Sequence, residues 1–169
     1  MANGGHINGD IYKIKTQQPS FIGKFEQSFP HMSMSYQVQV RDSSMWTFKG
    51  KWNDFVYGDG DPDLYKMAMQ TGASLEIPFQ GTGVSLLGSW NVDGGRANVY
   101  VDGKFVRKID TYYREEAGKY DVNRAHLFHI LNLKQENHVL ILVVTEDKNP
   151  KSTGHKIGVE RIVVYTTQK

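Results

Sequence analysis

Residues 95–105 read Gly-Arg-Ala-Asn-Val-Tyr-Val-Asp-Gly-Lys-Phe, and this stretch indicates the fold class most clearly. Ala97, Val99 and Val101 recur at every second position, which places one face of a strand on a core and the other in water. The dipeptide Asp102-Gly103 that follows is a strong signal for a two-residue β-hairpin turn. The stretch therefore predicts two antiparallel strands joined by a tight turn.

The same period of two recurs along the chain, in residues 36–41, 46–49 and 75–80. Pro78 has no N–H to donate, so we expect its strand to lie at an edge or a bulge. Two later segments, 127–133 and 139–144, are apolar on both faces. They fit central strands covered on both sides, although the pattern also allows a short buried helix.

Turn signals separate these segments, and residues 157–165 supply a final strand. Short turns are predicted at 42–44, 81–83, 102–103 and 134–137. No sustained helical stripe is present apart from a possible turn around 62–69. About eight strands at this spacing predict an all-β domain, a two-sheet antiparallel β-sandwich of jelly-roll type.

Chain direction predicts where the connections lie. If every connection reverses the chain, the short turns fall at one end of the sandwich. The long connections, 50–73, 89–95, 111–125 and 146–156, then all fall at the other end. Long loops gathered on a rigid scaffold are the usual place for a binding site.

Those long connections are rich in aromatic and planar polar side chains. A pyranose ring offers an apolar C–H face to an aromatic ring, while its hydroxyls pair with carboxylates, amides and guanidinium groups. The composition therefore favours a sugar-binding rim. The candidate ligand-binding residues are Trp90, Asn91, Asp93, Tyr112, Tyr113, Arg114, Glu146, Asn149 and His155.

Several of these residues have a purely structural alternative. Trp90 can contact a ligand or cap the sandwich, and Trp52 is expected to pack beneath a loop. Tyr112 and Tyr113 point to opposite sides if the backbone is extended, so at most one faces a ligand. Arg114 can equally serve as a surface ion-pair partner.

Three carboxylates alternate in Asp59-Gly-Asp-Pro-Asp63, a spacing that suits hard oxygen ligands for calcium. The rest of an EF-hand loop is missing. Asp59, Asp61 and Asp63 are therefore candidates for a structural calcium site, with a plain acidic turn as the alternative.

The overall composition narrows the functional classes. A chain of 169 residues suits one sandwich domain, placed at 36–169, with residues 1–35 as an extension or an added edge strand. The net charge of +2, with acids and bases interspersed, gives no basis for nucleic-acid binding. The absence of cysteine excludes disulfides, and no apolar run suits membrane insertion or a signal peptide.

Catalytic signatures are missing from the sequence. Gly81-Thr-Gly83 has Leu86 in place of the third glycine of a dinucleotide loop, and no Gly-x-Ser-x-Gly elbow occurs. His126 and His129 are three apart in a predicted strand, so we expect them on opposite faces. Adjacent carboxylates such as Glu115 and Glu116 do not suffice for glycoside hydrolysis. We therefore predict no catalytic residues.

Residues 45–165 resemble the galactose-binding-like jelly-roll modules attached to bacterial polysaccharide-degrading enzymes. The segments that carry the resemblance are Trp46-Thr-Phe-Lys-Gly-Lys-Trp52, Gly72 to Gly88, Gly95 to Gly103, Glu146 to Pro150 and Gly158-Val-Glu-Arg-Ile162. Members of this fold commonly bind sugars at the loop end, and some carry a structural calcium.

The resemblance implies a non-catalytic module that binds an oligo- or polysaccharide and targets an adjacent catalytic domain to it. It also implies an extracellular, cell-surface or periplasmic location. Two alternatives stay open: a structural or protein-interaction domain of a glycosidase or esterase, and a small glycoside-active enzyme. Fold analogy alone does not choose among them.

Overall fold

The computed structural model describes residues 34–56, 64–114 and 122–167. These residues form strands and one short 3₁₀ turn, Val40–Asp42. The strands are β1 (Met34–Gln39), β2 (Thr47–Lys49), β3 (Trp52–Val56), β4 (Leu64–Ala68), β5 (Ser74–Gly81), β6 (Gly83–Trp90), β7 (Arg96–Val101), β8 (Lys104–Asp110), β9 (Val122–Ile130), β10 (Glu136–Val144) and β11 (Ile157–Thr166). No helix in this part of the chain has the length and apolar character needed to cross a bilayer.

The strands form two antiparallel sheets. The six-stranded sheet has the order β3-β4-β11-β6-β9, and β1 pairs with the second half of β11. The five-stranded sheet has the order β2-β5-β10-β7-β8. The predicted all-β, two-sheet jelly-roll class is confirmed, with eleven strands among the described residues where about eight were expected. The boundary expected at residue 36 falls inside β1.

The core lies between the sheets and follows the predicted alternation. Inward-facing residues of β5 and β10, such as Leu75, Ile77 and Leu142, are at most 1% exposed. They share one buried cluster with Leu86 of β6 and Ile162 of β11. Burying each such side chain stabilises the fold by roughly 1.5–3 kcal/mol, which explains why the alternating sequence closes into a sandwich.

The hairpin between β7 and β8 has the predicted turn. Asp102 and Gly103 have φ angles of 51° and 75°, so both occupy the left-handed region that a two-residue hairpin of this kind requires. Aspartate and glycine tolerate that region better than other residues do. Residues 95–105 therefore behave as their sequence predicts.

The expectation of one long connection over residues 50–73 is wrong. That stretch contains β3 and β4, paired from Trp52–Ala68 to Val56–Leu64. The possible turn around 62–69 is largely β4, in which Tyr65 and Met67 are buried on one face. The sequence of β4 does not show the alternation typical of a half-exposed strand. Both faces of β4 are at least half-buried, so apolar and polar residues do not alternate cleanly along it.

Trp52 is a structural residue, as expected. Its ring centroid lies 5.3 Å from that of Phe48. Its indole N–H lies 3.1 Å from both the Lys49 and the Ser74 carbonyl oxygens. Trp52 thus fastens β3 to the neighbouring strands rather than facing a ligand.

Of the two segments predicted to form central strands, 127–133 and 139–144, only the second does so. Residues 139–144 belong to β10, which lies at the centre of the five-stranded sheet as predicted. Residues 127–133 were expected in a central strand, but β9 ends at Ile130 and is the outermost strand of its sheet among the residues that the structure describes. The expectation that the strand of Pro78 lies at an edge or a bulge is wrong, because β5 lies between β2 and β10. Pro78 is tolerated because β2 pairs with β5 only as far as Glu76, which leaves that side of Pro78 without a strand partner among the described residues.

A β-bulge explains the double apolar run in β9. Leu86 pairs with Phe128 and Leu87 pairs with His126, so Leu127 is the extra residue. Leu127 and Phe128 both enter the core, at 8% and 1% exposure. The expectation that His126 and His129 lie on opposite faces is therefore wrong, and their ring centroids are 5.0 Å apart.

The prediction that connections sort by length to two ends holds only in part. The connections after β6, β8 and β10 lie at one end, but the two-residue link 50–51 lies at that end as well, because Lys49 pairs with Ser74. At this end, which we call the loop end, the Asn91 N–H donates to the Thr111 carbonyl at 2.9 Å. At the opposite end, which we call the short-turn end, the Leu133 N–H donates to the Thr82 carbonyl at 2.9 Å.

His138 at the short-turn end is held between two acceptors. Its Nδ1 lies 2.8 Å from Asp102 Oδ2, and its Nε2 lies 2.9 Å from the Lys134 carbonyl. Because both ring nitrogens face acceptors, the charged imidazolium satisfies both contacts. Burial opposes the charge, yet the Lys134 carbonyl and the Asp102 carboxylate outweigh it, so the pKa of His138 is raised.

We predict that Asp102→Asn lowers the pKa of His138, because asparagine keeps the turn but removes the negative charge. A raised pKa contributes stability that is fully present below the unfolded-state pKa and is lost as pH rises through the folded-state pKa. The wild-type free energy of unfolding should therefore fall over that interval, and the variant's should fall less. Histidine NMR titration and urea unfolding at several pH values check both, with exposed His126 as the internal reference. An unchanged His138 titration in the variant contradicts the prediction.

Candidate functional site

Two segments of the loop end are joined by backbone hydrogen bonds. The residue after β6, Asn91, donates its N–H to the Thr111 carbonyl at 2.9 Å. Its own carbonyl accepts from Tyr113 N–H at 3.0 Å, so Asn91 and Tyr112 form a short parallel bridge. This bridge places the aromatic residues that follow β8 directly beside the end of β6.

The third segment, between β10 and β11, is fastened to the same loop. Gly95 N–H donates to the Lys156 carbonyl at 2.8 Å, and Lys156 N–H donates to the Asp93 carbonyl at 2.9 Å. The connections after β6, β8 and β10 therefore converge on one rim. This is the arrangement that chain reversal predicted.

Two consecutive glycines permit this close approach. A Cβ on Gly94 would lie 2.2 Å from the Thr111 carbonyl oxygen. A Cβ on Gly95 would lie 2.5 Å from the His155 carbonyl oxygen. A side chain at either position would push the neighbouring loop segments away. The close packing of the three loops therefore requires glycine at positions 94 and 95.

Two buried hydroxyl groups add side-chain hydrogen bonds between the same loop segments. Thr111 Oγ1 lies 3.1 Å from the Gly95 carbonyl and 3.0 Å from the Lys156 carbonyl. Ser152 Oγ donates to the Gly94 carbonyl at 2.7 Å. Sequence reasoning missed both residues, because a serine or threonine in a loop looks the same whether it faces solvent or fixes the backbone.

A charged cluster supports the rim from the five-stranded sheet. Asp110 accepts from Arg96 Nε at 3.0 Å and from Asn149 Nδ2 at 3.2 Å. Asp147 lies 3.0 Å from Lys108 Nζ and 3.3 Å from Arg96. A hydrogen bond with Thr145, followed by the one from Lys108, lowers the pKa of Asp147 to about 2. Asp147 is therefore a permanent anion of the scaffold at neutral pH.

The aromatic part of the rim is a stacked pair. Trp90 and Tyr113 have ring centroids 6.2 Å apart and an interplanar angle of 27°. Trp90 is half-buried and packs against the core, whereas Tyr113 is 36% exposed. Tyr112, the adjacent residue, is half-buried. The pair presents an aromatic surface whose inner ring is anchored and whose outer ring is open.

Further predicted polar residues lie on the same converging loops. Arg114 and Glu146 are exposed, and the half-buried His155 has a buried Nδ1 atom without a hydrogen-bond partner among the described residues. Asn149 uses its amide on Asp110 and accepts from Lys151 N–H at 3.1 Å. Arg114 and Glu146 are thus the predicted polar residues with exposed side chains, whereas the unpartnered His155 Nδ1 is buried.

Two other predicted residues support the loop. Asn91 is 1% exposed, and its Nδ2 donates to Ser89 Oγ at 3.1 Å. Asp93 Oδ1 lies 3.3 Å from Lys156 Nζ, which also lies 5.9 Å from the Phe55 ring centroid. The calcium candidates Asp59, Asp61 and Asp63 lie outside the described residues.

A separate groove of about 700 Å³ lies near the short-turn end. It is walled by Val38, Trp46 and Phe79, with Tyr36 and His138 at its sides. Its lining is mainly apolar and it lies away from the converging loops. The lining also includes Asp42, Gln80 and Asn137, planar polar groups of the kind that bind sugar hydroxyls, so this groove is the surface from which a ligand site at the loop end has to be distinguished by experiment.

Comparison with known sequences gives partial matches, and no protein-family profile matches the chain. A protein of Flavonifractor plautii described as A type blood N-acetyl-alpha-D-galactosamine deacetylase is 35% identical over 75 residues, 44% of this chain. A second from the same organism, A type blood alpha-D-galactosamine galactosaminidase, is 28% identical over 118 residues, 70% of this chain. The matches cover 10% and 11% of those proteins, so this chain corresponds to a small part of each.

Solved structures share the fold. A two-domain esterase active on acetylated mannans superposes with a TM-score of 0.60 at 17% identity, covering 82% of this chain and 38% of the esterase. The CBM36-1 domain of a multidomain xylanase from the hindgut metagenome of Trinervitermes trinervoides gives 0.51 at 16% identity, covering 80% of this chain and 99% of that domain. A family 35 carbohydrate binding module from Clostridium thermocellum gives 0.50 at 13% identity, covering 80% of this chain and 100% of the module.

At sequence identities of 17%, 16% and 13%, the similarity to these structures is evidence for the fold alone. At that level the resemblance found in the sequence is confirmed: the chain is a jelly-roll β-sandwich of the type found in carbohydrate-binding modules.

Proposed function

We propose that this domain binds carbohydrate non-catalytically through its loop end and acts as an accessory module of a larger glycan-acting protein. The observation that carries the proposal is the convergence of three loops around the stacked Trp90–Tyr113 pair. A fixed aromatic surface beside adaptable polar groups is the combination that a pyranose needs.

The aromatic pair supplies the stacking surface. Trp90 packs against the core, and Tyr113 is held by the backbone hydrogen bond to Asn91 and by stacking of its ring on Trp90. Little side-chain entropy remains to be lost when a sugar stacks on the open face of Tyr113. Preorganisation of this kind offsets the small contact area of a single sugar ring.

Polar neighbours supply orientation. The exposed side chains of Arg114 and Glu146 offer a donor and an acceptor. Planar guanidinium and carboxylate groups form directional hydrogen bonds with sugar hydroxyls, so their positions around an aromatic ring select the orientation of the sugar. A shallow rim of this kind typically binds in the micromolar to millimolar range, about −8 to −4 kcal/mol.

The carboxylates of the rim support a binding role rather than hydrolysis. A glycosidase acid needs a raised pKa, produced by burial or by a second carboxylate nearby. Asp147 is instead ion-paired, with its pKa lowered to about 2. Asp110 is engaged by Arg96 and Asn149. Neither of these two carboxylates is therefore suited to act as a general acid.

The relatives support an accessory role. The two Flavonifractor plautii proteins are named for action on galactosamine-containing blood-group glycans, and this chain matches only about a tenth of each. We therefore expect the domain to work beside a catalytic domain and to direct it to glycan outside the cell. N-acetylgalactosamine-containing, mannan and xylan oligosaccharides form the first probe panel.

We predict that Tyr113→Ala weakens binding to a retained glycan by about two- to tenfold, the value of one aromatic contact. The fold should survive, because Tyr113 is exposed and its structural hydrogen bond comes from the backbone. Isothermal titration against a glycan selected on an array measures the change, with thermal unfolding as the folding check.

Phe105→Ala provides the matched control. Phe105 is 58% exposed and contacts Tyr100 at 5.7 Å between centroids, so it resembles Tyr113 but lies at the short-turn end. Equal losses in the two variants would contradict a site at the loop end. Failure of the wild-type chain to bind any glycan would instead favour a structural or protein-interaction domain.

We also predict that Thr111→Val, which keeps the side-chain shape, destabilises the domain by about 1–3 kcal/mol, since buried carbonyls lose their donor. Below the unfolding temperature it should also weaken glycan binding, because the three loops lose their shared hydroxyl. Urea unfolding and titration measure the two effects. Thr82→Val, which loses a 3.3 Å contact to the Tyr165 carbonyl at the short-turn end, is the control and should leave binding intact.

A further inference from the structure

The β-bulge in β9 creates a histidine pair that the carbohydrate proposal does not use. His126 pairs with Leu87 and His129 pairs with Ser85, two alternate residues on the same face of β6. Both histidines therefore project from the outer face of the six-stranded sheet, and both are exposed. Since β9 is the last strand of that sheet among the described residues, no strand in this part of the chain covers the pair on its open side.

The two rings are close enough to share one ion. His129 Nδ1 lies 3.1 Å from His126 Nε2, and the rings are inclined by 49°. Imidazole nitrogens bind first-row metals at about 2.0–2.1 Å, so two of them on one ion lie roughly 3.0–3.4 Å apart. The observed separation falls within that interval, and small rotations of exposed side chains can turn both lone pairs toward a common ion.

Metal ligation uses the lone pairs of imidazole nitrogens. In the structure the two ring nitrogens lie at hydrogen-bonding distance, so a bound metal ion would take the place of the proton between them. On the adjacent strands, Ser85 Oγ and Tyr165 OH lie 3.1 Å apart and bond to each other.

We propose that His126 and His129 together chelate one divalent late first-row transition-metal ion. The described residues contain no group of three or more histidines and carboxylates suited to a metal, so the protein supplies two ligands and water completes the shell. Affinity for nitrogen donors should follow the order Cu²⁺ above Ni²⁺ and Zn²⁺. Ca²⁺ and Mg²⁺ prefer oxygen and should not bind here.

Titration of the tag-free full chain with Cu²⁺, Ni²⁺ and Zn²⁺ tests the proposal by calorimetry, together with Cu²⁺-induced broadening of amide NMR signals. We expect the first broadening at residues 125–130 and at the paired β6 residues. His126→Ala and His129→Ala should each weaken this binding about tenfold or more, because a chelate becomes a single-ligand contact.

The remaining histidines provide the controls. His155→Ala and His31→Ala should leave binding and the broadening pattern unchanged, as should Tyr113→Ala, since the metal site is independent of the glycan rim. Binding that persists in the double variant His126→Ala/His129→Ala overturns the proposal. Broadening centred away from β9, or equal binding of Ca²⁺, overturns it as well.

Discussion

The candidate site depends on the backbone hydrogen bonds that join the connections after β6, β8 and β10. Asn91, Gly95 and Lys156 make these bonds, and the Thr111 hydroxyl sits among them. Each bond is modest in water, but here the groups are largely buried and their loss would leave unsatisfied carbonyls. The requirement for glycine at 94 and 95 follows directly from how closely these segments approach. Without this junction, Trp90 and Tyr113 would lie on unrelated loops.

Much of the fold could be predicted because period-two patterns and turn chemistry act locally. The β7–β8 hairpin follows from alternating apolar residues and Asp102-Gly103, and the central position of β10 follows from residues 139–144 that are apolar on both faces. The convergence of the loops follows from chain reversal alone. Strands β3 and β4 were not predicted because Tyr65 and Met67 are buried outside the core cluster that contains Ala68 and against which Leu64 packs, so both faces of β4 are covered and the alternation is lost. The groups that fasten the rim, Thr111 and Ser152, leave no signal in the sequence.

The β-bulge at Leu127 shows the limit of strand-pattern reasoning. A perfect strand places residues i and i+3 on opposite faces. The extra residue in the bulge shifts the alternation of side chains by one position. His126 and His129 therefore lie on the same face, while Leu127 and Phe128 both enter the core. A consecutive apolar pair inside an otherwise alternating segment is the only hint in the sequence, and such a pair is equally typical of a strand covered on both faces. Pairing register, which depends on the neighbouring strand, decides the outcome.

The proposed function requires that a carbohydrate binds at the loop end and not elsewhere on the sandwich. NMR titration of the ¹⁵N-labelled chain with a glycan that it retains is the sharpest test of this requirement. We expect shift changes confined to residues 90–95, 111–114 and 146–156, saturating together with one affinity. Changes centred on the groove between Tyr36, Trp46 and Phe79, with the loop residues unaffected, would show that the loop end is not the site.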